Sequence, residues 1–161
     1  MNIIERLKGI SIFADIRDNE KILEKISRII KTENYKSGEC IIIEGEVGDK
    51  MYILNKGSVK IEKKTLYNDS FVVDILYENM NVFFGEIALM DNDLRSATVA
   101  AVTDTECYVI KKDDFEILCR ENPEIGYYII KEIAKSLALK FRKINQDNVN
   151  LINAIISDEI S

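Results

Sequence analysis

The sequence predicts a mainly β protein, a sandwich or roll with helices at both ends. Between Thr32 and about Lys111, short runs rich in Ile, Val, Tyr and Phe alternate with Gly38, Gly45, Gly48, Gly57 and Asn68-Asp69, at the intervals of antiparallel strands and turns. The stretches before and after carry apolar residues at helical spacing instead. A length of 161 residues with 47% apolar content suits one domain with a real core.

A helical turn around Ile4 and Leu7 opens the chain. Ile22, Leu23, Ile26, Ile29 and Ile30 then mark one face of a helix, with Asp18 placed to cap it. Candidate strands follow at 39–43, 51–55, 58–63, 70–76, 98–102 and 106–111. In Val59-Lys60-Ile61-Glu62 apolar and charged residues alternate, as on a strand with one dry and one wet face. Helix returns at Asp113, where Asp113 and Glu116 have capping-box spacing ahead of Phe115, Ile117 and Leu118; it should stop near Arg120. Asn122-Pro123-Glu124 starts the last helix, because Asn caps, Pro is tolerated in the first turn and Glu suits the positive end of the dipole. Along it, Ala134, Leu137, Phe141, Ile144, Asn148, Leu151 and Ile155 fall in an alternating three-and-four spacing, a heptad seam with one polar position. The expected division is a roll with its flanking helices at 1–121 and a long lid and dimerisation helix of the same domain at 122–161.

Composition narrows the function. Lys and Arg number 22 against 28 Asp and Glu, and the net charge of −6 argues against nucleic acid or an anionic membrane as partner. The chain has no histidine, which removes the commonest general base and zinc ligand and any Ser-His or Cys-His pair, so neither a catalytic residue nor a metal site is expected. Cys40, Cys107 and Cys119 form no CxxC pair and read as buried, reduced thiols of a cytoplasmic protein. The charged N-terminus does not resemble a secretory leader, and no uncharged apolar run is long enough to span a bilayer.

The segment 84–99, FGEIALMDNDLRSATV, is neither a simple strand nor a simple turn. Gly85 allows a sharp turn, and Glu86 to Met90 reads as a short helix whose first amides, unpaired, form an anion site. Arg95 can fold back across the loop and place its planar guanidinium on the same anion, with the Ser96 hydroxyl and amide beside it. A bare carboxylate would repel phosphate, so Glu86 points to a ligand that also presents a hydroxyl. A ribose with a free 2′-hydroxyl and a phosphate closing its 3′ and 5′ oxygens offers both.

This segment resembles the phosphate-binding cassette of the cyclic-nucleotide-binding domain family, which includes the bacterial catabolite activator protein and kinase regulatory subunits. Phe84, Gly85, Glu86, Ala88, Leu89, Arg95, Ser96 and Ala97 meet its pattern, and residues 41–57, IIIEGEVGDKMYILNKG, meet a second signature whose glycines are expected to turn the roll. The similarity runs from about Ile3 to Ile144. It implies an eight-stranded antiparallel β-roll (jelly roll) with N-terminal helices and a long C-terminal helix, and a ligand site formed by Gly85, Glu86, Ile87, Ala88, Arg95, Ser96 and Ala97. Glu86 would take the ribose 2′-hydroxyl and Arg95 the cyclic phosphate. Lys140 and Phe141 stand where the activator carries base-reading hydroxyls, and they are the lid candidates; Leu94 replaces a proline of many relatives, and Asp91 and Asp93 add charge. The expectation is a stand-alone cytoplasmic sensor of cAMP or cGMP, without catalytic machinery or cofactor, homodimeric through its last helix and signalling to an unidentified protein. The alternative is a fold that has lost its ligand and serves as a dimerisation or docking scaffold.

Overall fold

The computed structural model describes residues 2–67, 69–91 and 93–159, with backbone alone at 158 and 159. Met1, Asn68 of the expected Asn68-Asp69 turn, Asn92 of the 84–99 segment, and the last two residues of the expected 122–161 helix lie outside it. The order is α1 (Ile3–Gly9), a 3-10 helix (Ser11–Ile16), α2 (Glu20–Ile29), β1 (Ile30–Tyr35), β2 (Cys40–Ile42), β3 (Lys50–Lys56), β4 (Ser58–Lys64), β5 (Ser70–Tyr77), β6 (Phe83–Phe84), a second 3-10 helix (Glu86–Leu89), β7 (Thr98–Ala101), β8 (Thr105–Lys111), α3 (Lys112–Glu121) and α4 (Pro123–Glu159). The eight strands form two antiparallel four-stranded sheets, ordered β1-β8-β3-β6 and β2-β7-β4-β5. This is the roll with flanking helices that the sequence predicts.

Strand alternation divides the core into two layers. In β3, Met51 and Ile53 point into a cluster with the helices, whereas Tyr52 and Leu54 point between the sheets; β8 sends Tyr108 and Ile110 one way and Cys107 and Val109 the other. The central strands β3 and β8 are therefore dry on both faces, which is why they read as nearly continuous apolar runs. Arg6 of α1, 6% exposed, reaches in and donates to the carbonyls of Leu54 (2.6 Å) and Glu78 (2.9 Å) and to the Asn81 side chain, tying the N-terminal helix to the roll.

The first turns of α4 belong to the core. Ile125, Ile129 and Ile133 are buried with Ile12, Phe13 and Ile16 of the 3-10 helix, and Lys131 pairs with Asp15 at 2.7 Å. Leu137 is the last α4 side chain packed on that cluster, and from Ala138 to Ser157 the helix is exposed throughout. The outer part of the heptad stripe, with Phe141, Ile144, Leu151 and Ile155 each at least half exposed, has no cover among the described residues.

Three expected caps are corrected. The α2 cap is Asn19, whose side chain accepts from the Ile22 amide at 3.2 Å, not Asp18. No capping box forms at Asp113 and Glu116: α3 begins one residue earlier, with Lys111 at the cap position and no side-chain cap bond, so Asp113 already lies inside the first turn. Asn122 accepts from the Ile125 amide through its backbone carbonyl (3.0 Å), while its side chain donates to Leu118 O (3.1 Å) and accepts from Lys25 Nζ (2.5 Å), joining the α3 end to α2.

Candidate functional site

The 84–99 segment folds around one arginine. Gly85 adopts φ +71°, a left-handed conformation open to glycine, and turns β6 into the 3-10 helix. The first hydrogen bond of that helix runs from the Ala88 amide to Gly85 O (3.3 Å), so the amides of Glu86 and Ile87 precede the helical bonding. Arg95 lies against the same turn. Its Nη1 donates to Gly85 O (3.1 Å) and its Nη2 to Lys50 O (2.7 Å), while its backbone amide donates to Glu46 O (2.8 Å) and its carbonyl accepts from the Gly45 amide (2.9 Å). A bridge between Val47 and Leu94 extends this pairing. The two sequence signatures are thus hydrogen-bonded to each other.

Space for the guanidinium comes from Gly48. A Cβ on that residue would lie 1.9 Å from Arg95 Nε and 2.3 Å from its Cζ. Gly45 and Gly57 do sit at left-handed φ, as turn formers; Gly48 does not, and its missing side chain serves Arg95 rather than a turn. Burial pushes the Arg95 guanidinium below its ordinary value, opposed by Tyr52 and by the charges of Asp49, Asp91 and Glu86; it remains cationic at any physiological pH.

Glu86 lies on the other side of the turn and is only 3% exposed. Its Oε1 accepts from Lys140 Nζ of α4 at 2.7 Å. Between Glu86 and Arg95 opens a cavity of about 240 Å³. Gly85, Glu86, Ile87, Ala88, Arg95, Ser96, Ala97 and Lys140 all line it, as do Ile42, Ile61, Phe84 and Val99, which form an apolar floor. Phe84 of that floor stacks on Tyr52, ring centroids 5.3 Å apart, in the core between the sheets. Phe141, paired with Lys140 in the expectation, does not line the cavity and is 64% exposed. The floor residues sit on four separate strands, and of them only Phe84 and Ile42 belong to the two signatures; Gly48 is legible only as one glycine of the second signature.

The lining of this cavity combines the Arg95 cation and the buried Glu86 carboxylate with apolar side chains. Such a site is complementary to a small anion joined to a hydroxyl and an apolar ring. The sequence profile described as the cyclic nucleotide-binding domain matches residues 32–122. The chain belongs to the cyclic nucleotide-binding domain family. Within that family it is 30% identical over 116 residues to the cAMP-dependent protein kinase regulatory subunit of Dictyostelium discoideum, covering 71% of this chain and 35% of that protein. It is 32% identical over 143 residues to the human cGMP-dependent protein kinase 2, covering 88% of this chain and 17% of that one. Among solved structures, the Thermus thermophilus catabolite activator protein superposes with a TM-score of 0.76 at 25% identity, over 88% of this chain and 62% of that chain. The chain spans about a third or less of the two kinase proteins. The family is a regulatory ligand-binding domain, and its profile covers the whole 85–97 segment but ends before Lys140. Among the described residues no acidic or thiol cluster could hold a metal, and no helix is long and apolar enough to cross a membrane.

Proposed function

We propose that this chain is a cytoplasmic sensor of a cyclic purine nucleotide, cAMP or cGMP, without catalytic activity or cofactor. The observation that carries the reading is the pairing, across one small cavity, of the buried Glu86 carboxylate with the Arg95 guanidinium. Arg95, the amides of Glu86 and Ile87 and the Ser96 hydroxyl hold the cyclic phosphate, Glu86 accepts from the ribose 2′-hydroxyl, and Gly85, Ala88 and Ala97 let the sugar approach closely. The base extends toward α4 near Lys140. Arg95 keeps free N–H donors beyond the two used on carbonyls, since a guanidinium has five. Output passes through α4 to a protein effector, and the exposed heptad stripe pairs two copies, with Asn148 fixing the register of a parallel seam. The relatives named for cAMP and for cGMP leave two bases to distinguish.

Titration calorimetry with cAMP, cGMP and 5′-AMP side by side tests the reading. Saturable binding of one cyclic ligand, with the open monophosphate rejected, is expected; Arg95→Leu should weaken it at least about tenfold, because a hydrogen bond to a charged group contributes ~1.5–3 kcal/mol. Heat from none of the three, or equal heat from 5′-AMP, would favour the scaffold alternative.

A further inference from the structure

A carboxylate as buried as Glu86 requires a donor or a counter-charge. In this structure the donor is Lys140 Nζ, at 2.7 Å. Lys140 does not belong to the roll: it projects from α4 just past Leu137, the last side chain of that helix packed on the core, inside the stretch 138–157 that is exposed throughout. Its ammonium therefore reaches back across the mouth of the cavity, which both residues line. At about 240 Å³ that cavity falls short of the roughly 300–1,000 Å³ of small-molecule pockets. A ligand hydroxyl seated on Glu86 would need the acceptor that Lys140 now takes.

Resting on the proposed cyclic-nucleotide reading, we infer that Glu86 is an exchange point. Lys140 holds it in the arrangement described, and the 2′-hydroxyl of a cyclic ribonucleotide displaces Lys140 and so frees the outer part of α4. The phosphate does not perform this step, because Arg95 bonds to Gly85 and Lys50, both within the roll. The hydroxyl gives Glu86 a replacement donor, and the released ammonium, on a side chain already 58% exposed, is hydrated at little cost. A 2′-deoxy ligand offers no donor, and Lys140 stays in place. The regulatory ligand class is thereby restricted to ribonucleotides.

The test compares cAMP and cGMP with their 2′-deoxy counterparts on the full chain, its Lys140→Met variant, Glu86→Gln and the double variant. Methionine is a good helix former at this exposed position, so K140M should keep the fold, which a melting curve checks. Removing the competitor should tighten the ribonucleotide about fivefold, the scale of a partly exposed ion pair, and leave the deoxy ligand unchanged. With Glu86→Gln in place the Lys140 substitution should have no effect. Amide exchange across 138–157 should rise with the ribonucleotide and not with the deoxy ligand. Equal or weaker ribonucleotide binding by K140M, the same gain without Glu86, or equal exchange with both ligands would overturn the exchange while leaving the sensor intact. Absence of any binding by the unaltered chain would overturn both.

Discussion

Gly48→Ala should separate ligand binding from folding. The new Cβ would lie 1.9 Å from Arg95 Nε, 2.3 Å from Cζ and 2.5 Å from Nη2, so the guanidinium must retreat by roughly 1 Å or more before contact becomes tolerable. That retreat breaks the bonds to Gly85 O and Lys50 O, now 3.1 and 2.7 Å. The displaced atoms are the tip of a flexible side chain, and Gly48 has no left-handed φ to lose, so the chain should stay folded and lose no more stability than the two broken bonds account for. Binding loses a preorganised charged donor, about 1.5–3 kcal/mol, or roughly ten- to hundredfold in affinity. Gly45→Ala is the counter-experiment: its φ of +85° makes alanine strained, with nothing within 4 Å of the new Cβ. It should cost about 1–2 kcal/mol of stability and little affinity. Calorimetric titration beside a thermal melt reads both variants. A folded G48A that binds within about threefold of the unaltered chain would refute the view that this glycine exists to seat Arg95.

Two further outcomes are expected. In the folded protein a thiol reagent should label the exposed Cys40 first, the half-buried Cys119 more slowly and Cys107 only on unfolding, because burial pushes the Cys107 thiol from its ordinary 9.0 up to about 12. The unfolded thiol ionises first, so stability from this group should be intact below pH 9 and drain away as pH rises toward 12; labelling of Cys107 as fast as Cys40 at pH 8 would contradict this. Ile144→Glu, at a position 57% exposed in the single chain, should shift sedimentation from dimer toward monomer without lowering the melting point of the roll, and a wild-type chain that sediments as a monomer would remove the proposed seam.

The strands were legible where burial imposes a pattern. Six of them fall within two residues of their expected bounds because each carries a run of apolar or alternating residues, whereas β1 and β6 do not announce themselves. β1 is a polar edge strand that follows α2 without a turn, and β6 has only two residues, held by pairing with Tyr52 and Ile53. The caps misled because neighbouring residues offered equivalent acceptors: Asp18 and Asn19 differ only in which side chain the backbone aims at the open amides. Cys40, expected to be buried, lies exposed on β2 at the edge of its sheet. At the site, the cassette residues were readable because they are contiguous. Gly48 beneath Arg95 and Lys140 upon Glu86 are contacts across 47 and 54 positions, which spacing along a chain cannot express.

In this structure both charged groups of the site hold chain segments together. Arg95 clamps its own loop to the carbonyls of Gly85 and Lys50, and Glu86 clamps the roll to α4. On the proposed reading a ligand acts by taking over the second of these contacts, and it can shift the helix only by the difference in its affinity for the clamped and freed arrangements. That difference is bounded by the clamp it replaces. With its lysine side chain more than half exposed, the Lys140 to Glu86 contact contributes on the order of 1 kcal/mol, a several-fold change in the population of freed α4. One domain alone is therefore a graded switch. A steeper response requires the exposed stripe of α4 to couple two copies, so that release of one helix alters the seam felt by the other, and the apolar run from Phe141 to Ile155 is placed on the freed side of the clamp, where such coupling has to act.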